Sequence, residues 1–595
     1  MNRIWDSFWI VFSIFFPLGV GIPGFTAIDI ESLELGYDQL YKRNRWVSAR
    51  VLVTSHGEDF EGHVKVEVND ISSETLIGSY FIPLKLQYTD RQRRIIPILL
   101  PSARSSLKLQ LINLQNHVRL SRQVVTKIPR RLSDLFVLVV SSNRDGLHRL
   151  HKQPIDQEPA GNIFIGYTVP SDLPTNWKGY DSIDTLVVRN IPLSDQYLLK
   201  DQQTAMLDWV QNGGVLILSG GRDFYRIKES FLRSYLPVSL SSLQTENKIP
   251  ESIAQHFDVS SVIPFDKINF VLRPCGEVLI GSAGSIHVAK SMFGSGAIIN
   301  LSFDYASPPF SDVAFTNQFW SFMIAGQGRS ARHDEYRFDP FRKHSEKILK
   351  QLRTLKPKDL PLIKFIIFFL LMYLLVLGGI TFLGRNYKAQ IFWLTSLIMP
   401  LLFSSAVIFW DVFVPSVVSV RQLSVLSVFP DRGRAYLQSY IGLIGSANVQ
   451  VPVDFGKNAF VQLLTGTASS PVKLLWSNTS RLNSINASPW FVRSYLIESF
   501  IDLQLADLPK LENEFNAGQM KQFAKRTVGI RREFVKIISS EGALRYLEKG
   551  NTVKQIGWTK QSFLPISSNV RTKVSAETLV LIYDTDSCIL TSTRD

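Results

Sequence analysis

Between Trp46 and Lys127 apolar and polar residues alternate. HVKVEVND puts Val64, Val66 and Val68 on one face and Lys65, Glu67 and Asn69 on the other; SLKLQLINL repeats the pattern with Leu107, Leu109 and Leu111. A period of two is that of a half-buried strand. With YFIPLKLQY and RRIIPILL, it predicts a small immunoglobulin-like β-sandwich over residues 28–130. The Cys, Trp, Cys signature of true immunoglobulin domains is missing.

The pattern changes after the basic stretch KIPRR, Lys127 to Arg131. LFVLVVSS is apolar almost without interruption, as a strand covered on both faces would be. NIFIGYTV and DTLVVRN predict two further strands. LSDQYLLKDQQTAMLDWVQNGG predicts a helix with Ser194 or Asp195 as cap, Met206, Leu207, Trp209 and Val210 as its apolar face, and Gly213 as its end. VLILS follows as another strand. Strands separated by helices predict a three-layer α/β domain with a largely parallel sheet, residues 131–330. Near its end, VLIGSAGSIHVAKSMFGSGAIINLSFDYASPPF predicts β-hairpins on glycine turns.

Two longer apolar runs follow, Leu360 to Leu383 and Ile391 to Val414. Each is long enough as a helix to cross ~30 Å of hydrocarbon, which predicts a transmembrane hairpin over 360–414 after a basic juxtamembrane linker, 331–359. From Ser416 to Asp595 short apolar runs alternate with polar turns and predict a C-terminal β-rich domain, 415–595, with one helix in WFVRSYLIESFIDLQLADLPKLENEF. At the other end, residues 1–27 combine Arg3, an apolar run broken by Pro17 and small residues up to Ala27. That layout predicts a signal peptide or a retained N-terminal anchor. Export of the first part and a returning hairpin place the bulk of the chain outside a bacterial cytoplasmic membrane, with the connector GRNYKAQ inside.

A chain of 595 residues, 45% hydrophobic, is longer than one core usually supports, so several units are expected. The net charge of +14 is scattered, without a basic arm or nucleic-acid motif, so no nucleic-acid partner is expected. The bilayer and other envelope proteins are the expected neighbours. Two cysteines, Cys275 and Cys588, exclude a disulfide framework and a cysteine-based zinc site, and leave one long-range bridge open.

DWVQNGGVLILSGG, GSGAIINLSFDYASPPF and YLLVLGG…RNYKAQIFW…MPLLFS together carry a resemblance. The first resembles the glutamine amidotransferase-like domain, related to class I glutaminase and flavodoxin-like folds. All three together resemble a bacterial family of exported membrane proteins with that domain. Members are often encoded near MoxR-type ATPases and von Willebrand A-like proteins, which implies membership of an assembly system.

A glutaminase needs a cysteine on a strained turn after a strand, with a histidine base, a carboxylate to orient it and oxyanion donors. Here the turn after VLIL reads Ser219, Gly220, Gly221, Arg222, Asp223, with no cysteine and no G-x-S-x-G. The fold is therefore expected without its chemistry, as a pseudoenzyme that scaffolds an assembly and uses no cofactor. The same five residues are the candidate ligand site, with glycine N–H groups at the carboxyl end of the sheet. The competing readings are an envelope hydrolase using Ser219 with His287, and a ligand-binding subunit of a transport system. The latter is disfavoured because the apolar runs hold no ionisable residue except Lys364 and Asp411 near their ends. Cys275 reads as a small buried residue and His287 as a packed strand residue. Trp177 and Tyr180 read as packing, with sugar stacking as the alternative. His148 with His151, and Asp584 with Asp586, lack the further ligands a metal site requires.

Overall fold

A computed structural model describes residues 28–327 except for 72–75, 101–103, 155–160, 195, 258–261 and 283; it then describes 352, 361–383 and, with gaps, 417–583. The N-terminal segment 1–27, the linker 331–359 apart from residue 352, the second apolar run, and Asp584 and Asp586 lie outside the described residues.

Seven strands come first: β1 (Ile28–Leu35), β2 (Arg45–Ser55), β3 (Phe60–Asp70), β4 (Leu76–Leu86), β5 (Arg91–Leu100), β6 (Ser105–Asn113) and β7 (Val118–Val125). The alternation of β3 sets its faces: Val64, Val66 and Val68 are fully buried, while Lys65 and Glu67 pair at 2.5 Å on the other side. β1, β2 and β5 form one antiparallel sheet. The others belong to a larger sheet that the C-terminal part completes.

The central sheet is built from β8 (Leu135–Val140), β9 (Ile163–Thr168), β10 (Thr185–Val188) and β11 (Val215–Leu218). After a separate hairpin, β12 (Val238–Glu246) and β13 (Phe265–Leu272), it adds β14 (Glu277–Ser282), β15 (Ser285–Phe293) and β16 (Gly296–Leu301). The order is β14-β15-β16-β11-β10-β8-β9, with β9, β8, β10, β11 and β16 parallel and the last hairpin antiparallel. Helix α1 (Lys200–Gln211) begins where the Leu199 N–H donates to the Gln202 side chain, 2.9 Å, and is followed by Gly213 at φ +102°. That start is several residues beyond the caps expected at Ser194 or Asp195. The remaining described helices of this region are short: α2 (Phe224–Lys228), α3 (Glu251–Phe257) and α4 (Val313–Trp320).

The C-terminal part contributes β17 (Val417–Phe429), β18 (Arg434–Gly445), β19 (Val449–Asp454), β20 (Phe460–Leu463), β21 (Val472–Trp476) and β22 (Ser480–Ala487). Then come β23 (Arg493–Asp502), β24 (Glu512–Phe515), β25 (Val553–Thr559), β26 (Ser567–Ser568) and β27 (Arg571–Tyr583). One sheet runs β20-β23-β18-β17-β27-β25-β24. The other, β26-β19-β22-β21-β4-β3-β6-β7, joins both ends of the chain, because β21 pairs in parallel with β4 from Val472 opposite Gly78 to Leu475 opposite Phe81. The helix expected from WFVRSYLIESF is instead β23, buried on both faces from Ser494 to Ser499 between β20 and β18. A short apolar run buried all round carries no period that separates helix from strand.

The expected fold class needs correction. Strands predominate among the described residues, and a three-layer α/β domain is not the architecture. The apolar runs of β8, β10 and β11 signalled two covered faces but could not specify the cover. One face packs on α1 and shares its core with Val51, Val66 and Ile98 of the N-terminal strands and Leu426, Val428 and Leu437 of the C-terminal sheet. The other lies under the short α3 and α4, through Phe257, Phe315, Phe319 and Trp320.

The transmembrane hairpin is corrected as well. Its first half forms a helix, α5 (Pro361–Leu383), and its second half is not among the described residues, so no hairpin is seen. Among the described residues, counted with their side chains, no helix is long and apolar enough to cross a membrane. The membrane localisation with an extracytoplasmic bulk, which took that hairpin as its anchor and the N-terminal segment as its export signal, is withdrawn with the hairpin.

Buried ion pairs hold the parts together. Lys42 before β2 reaches Asp184 before β10 at 2.5 Å, and the same carboxylate accepts the Phe136 N–H at 2.7 Å. Lys178 is a three-way node: its ammonium lies 2.5 Å from Glu498 on β23 and 3.6 Å from Asp181, which accepts the Trp46 N–H of β2 at 3.1 Å. On α1, Asp208 takes Arg432 and Arg434, each at 2.9 Å.

Candidate functional site

The parallel strands carry their polar residues immediately after their apolar runs, at the carboxyl ends where α/β sheets present clefts. β10 ends at Val188 and delivers Arg189; β16 ends at Leu301 and delivers Asp304 and Tyr305; β11 delivers Ser219; the segment after β8 delivers Asp145. Arg189 binds Asp304 with two parallel hydrogen bonds, Nε to Oδ1 at 2.7 Å and Nη2 to Oδ2 at 2.9 Å. Asp304 also accepts from the Ser307 hydroxyl at 2.5 Å, the Ala306 N–H at 3.1 Å and the Ser219 hydroxyl at 3.4 Å. Burial pushes this carboxyl up, but the Arg189 and Ser307 bonds outweigh it and hold it below the ordinary carboxylate value.

Beside this pair, Asp145 accepts the Tyr167 hydroxyl at 2.8 Å, the Leu147 N–H at 3.0 Å and the Tyr305 hydroxyl. Burial, and then the Asp145 charge, raise both phenols well above the ordinary tyrosine value, so both remain donors.

The five residues predicted as a ligand site do not converge. Ser219 is 1% exposed. The N–H groups of Gly220 and Gly221 are already donated to Phe303 O at 3.0 Å and Ser302 O at 3.1 Å. The glycines serve a close approach: a Cβ on Gly220 would lie 2.2 Å from Leu301 O, and Gly221 sits at φ +67°. Arg222 points to solvent and pairs with Asp266 at 2.8 Å. Asp223 turns inward, accepting the Asn190 N–H at 2.6 Å and Arg226 at 2.7 Å; burial raises its carboxyl. The crevice beside Ser219 and Asp223 measures only about 10 Å³, roughly the space for one water.

His287 is not paired with Ser219, because β16 runs between their strands. Its Nε2 lies 3.3 Å from the Ser285 hydroxyl, which accepts from Lys267 at 2.9 Å. Burial, with the Lys267 charge, pushes His287 down to about 4, so it is neutral at pH 7. Cys275, expected to be buried, is half-buried and disulfide-bonded, so it is no free nucleophile. Trp177 is buried edge-on against Tyr436, Phe460 and Phe500, and Tyr180 is buried against Trp209 at a tilt of 31°, which leaves neither ring free to stack a sugar. His148 bonds Asp145 O and His151 accepts the Ile165 N–H. Among the described residues no group of three His, Cys, Asp or Glu could hold a metal ion.

The larger space lies beyond Tyr167. A polar cavity of about 530 Å³ opens at the carboxyl ends of β8 and β9, where Ser141 to Arg144 and Tyr167 to Val169 face Glu34, Asp38 and Arg50 of the N-terminal strands. No single motif in the sequence marked it, since its walls come from separate segments between Glu34 and Asp172. The Arg189, Asp304 and Tyr305 group did carry a signal in the sequence: Arg189 directly after the run TLVV, and Asp304 three residues after AIINL.

Residues 28–127 match a family model described as a domain of unknown function, DUF8726. No curated protein matches the chain. Among solved structures it is similar to the cytoplasmic protein STM1381 from Salmonella typhimurium LT2, at 16% identity and a TM-score of 0.24 over 33% of this chain and 97% of that one. The cytoplasmic protein STM3548 from Salmonella typhimurium gives 15% and 0.25, over 33% and 98%. A ThuA-like protein from Parabacteroides merdae gives 10% and 0.19, over 32% and 89%. Likenesses this distant decide neither fold nor function.

Proposed function

We propose that this chain is a non-catalytic interaction protein that scaffolds a protein assembly. The observation that carries this reading is the sealed Ser219: its hydroxyl is buried on the Asp304 carboxylate, which Arg189 already occupies. A serine nucleophile needs a neutral base, free oxyanion donors and room for an acyl group. At Ser219 the hydroxyl faces a paired carboxylate, the neighbouring N–H groups are spent on backbone carbonyls, and the crevice holds about 10 Å³. Its partners are other chains of the assembly, in the first instance the MoxR-type ATPase and von Willebrand A-like proteins that the family resemblance implies. The buried nodes at Lys42, Lys178 and Asp208 support the reading, since they tie the N-terminal, central and C-terminal strands to one another.

Two measurements test it. The full chain should hydrolyse neither glutamine nor p-nitrophenyl acetate above background and should resist labelling by a fluorophosphonate. Turnover abolished by Ser219→Ala would overturn the proposal. Mild copurification from the native source should retain a protein partner at fixed stoichiometry, and recovery of the chain alone would count against scaffolding.

A further inference from the structure

We infer that the polar cavity at the carboxyl ends of β8 and β9 is a binding site for a neutral polyhydroxylated ligand of mono- or disaccharide size. Its volume of about 530 Å³ lies within the ~300–1,000 Å³ usual for small-molecule sites. The walls are more polar than apolar, so burial of hydrocarbon is not the main thing the cavity offers. It offers hydrogen bonds.

The charge pattern selects the class of ligand. The lining carboxylates are Glu34, Asp38 and Asp172, and the lining guanidiniums are Arg50 and Arg144. Arg50 lies 3.4 Å from Glu34 and 3.3 Å from Asp172, Arg144 lies 3.7 Å from Asp38, and Arg93 closes on Asp172 from outside. The lining alone carries three carboxylates and two guanidiniums; with Arg93 outside it, each carboxylate has a guanidinium partner and the network is balanced. A charged ligand would have to displace one of these pairs, whereas a hydroxyl can add to them by donating to a carboxylate lone pair and accepting from a guanidinium.

Arg50 is 8% exposed and held in place, its Nη2 donating to Gly36 O at 2.8 Å. Tyr167, fixed through its hydroxyl to Asp145 and with the Arg144 guanidinium 5.8 Å from its ring centroid, adds a rigid wall to the cavity.

The test is titration calorimetry on the full chain with glucose, maltose and N,N′-diacetylchitobiose, and with inorganic phosphate and spermidine as charged comparators. At least one saccharide should saturate at ~1 mM or below. Ser142→Trp, which places a large ring at an exposed wall position outside the ion pairs, should weaken that binding at least about tenfold with the melting temperature unchanged. Should that variant fail to fold, Asn143→Ala is measured instead and should weaken binding at least about threefold. Saturation by none of the three saccharides, saccharide binding indifferent to the folded variant, or binding of phosphate or spermidine in their place would each overturn the inference.

Discussion

Lys178→Met perturbs a side chain that ties the segment before β10 to β23 and, through Asp181, to β2. Lys178 is 2% exposed; its ammonium serves Glu498 at 2.5 Å and Asp181 at 3.6 Å and lies 4.4 Å above the Trp177 ring. Methionine keeps most of the stem packing and removes the charge. What remains is a buried Glu498 carboxylate with the Tyr436 hydroxyl, 2.5 Å, as donor, and an Asp181 that keeps the Trp46 N–H and a distant Arg45 at 3.8 Å. Removing one partner of a buried pair costs ~3–5 kcal/mol, and loss of the cation from the indole face adds ~1 kcal/mol. Because Glu498 loses its cation while Asp181 keeps Arg45, the lower part of that range, ~3–4 kcal/mol, is expected. Urea unfolding followed by tryptophan fluorescence is the assay, since Trp46 and Trp177 sit at this junction. Lys178→Met combined with Glu498→Gln should recover at least ~2 kcal/mol of the loss, because the stranded charge is then gone. A single variant that loses less than ~1 kcal/mol, or a double variant no better than the single, would refute the reasoning.

Three further outcomes are expected. His287 ordinarily titrates at 6.5 and is held at about 4 in the fold, so between these pH values the unfolded chain binds a proton that the native chain does not. Stability should therefore be flat above pH 6.5 and fall by at most ~3 kcal/mol towards pH 4; His287→Gln should flatten the slope, and a denaturant midpoint measured against pH checks it. Gly220→Ala forces a Cβ to 2.2 Å from Leu301 O, so a loss of ~3 kcal/mol or more is expected, well above the ~1 kcal/mol of a glycine replaced in open space; calorimetric melting reads it. Ser219→Ala removes one 3.4 Å hydrogen bond to a carboxylate that keeps its other donors, so thermal unfolding should show a loss of only ~0.5–1.5 kcal/mol.

The sequence by itself determined which residues are inside. The alternation of Val64, Val66 and Val68, and the unbroken run Leu135 to Val140, are local consequences of strand geometry, and all nine side chains are buried. It also showed the missing cysteine after VLIL, because a residue's identity needs no fold to be read. The sequence did not determine what covers a buried face or which strand lies beside which. Apolar runs looked the same whether their cover was a helix layer or another sheet, and β23 looked like a helix because burial on both faces leaves no period. Only the tertiary structure paired β21 with β4 across almost four hundred residues, placed β16 between Ser219 and His287, and spent the glycine N–H groups on backbone carbonyls. It also set Glu34, Arg50, Asn143 and Tyr167 around one cavity. The physical reason is range: hydrophobic periodicity is written residue by residue, whereas pairing, sealing and charge balance depend on groups that meet only after the chain has folded.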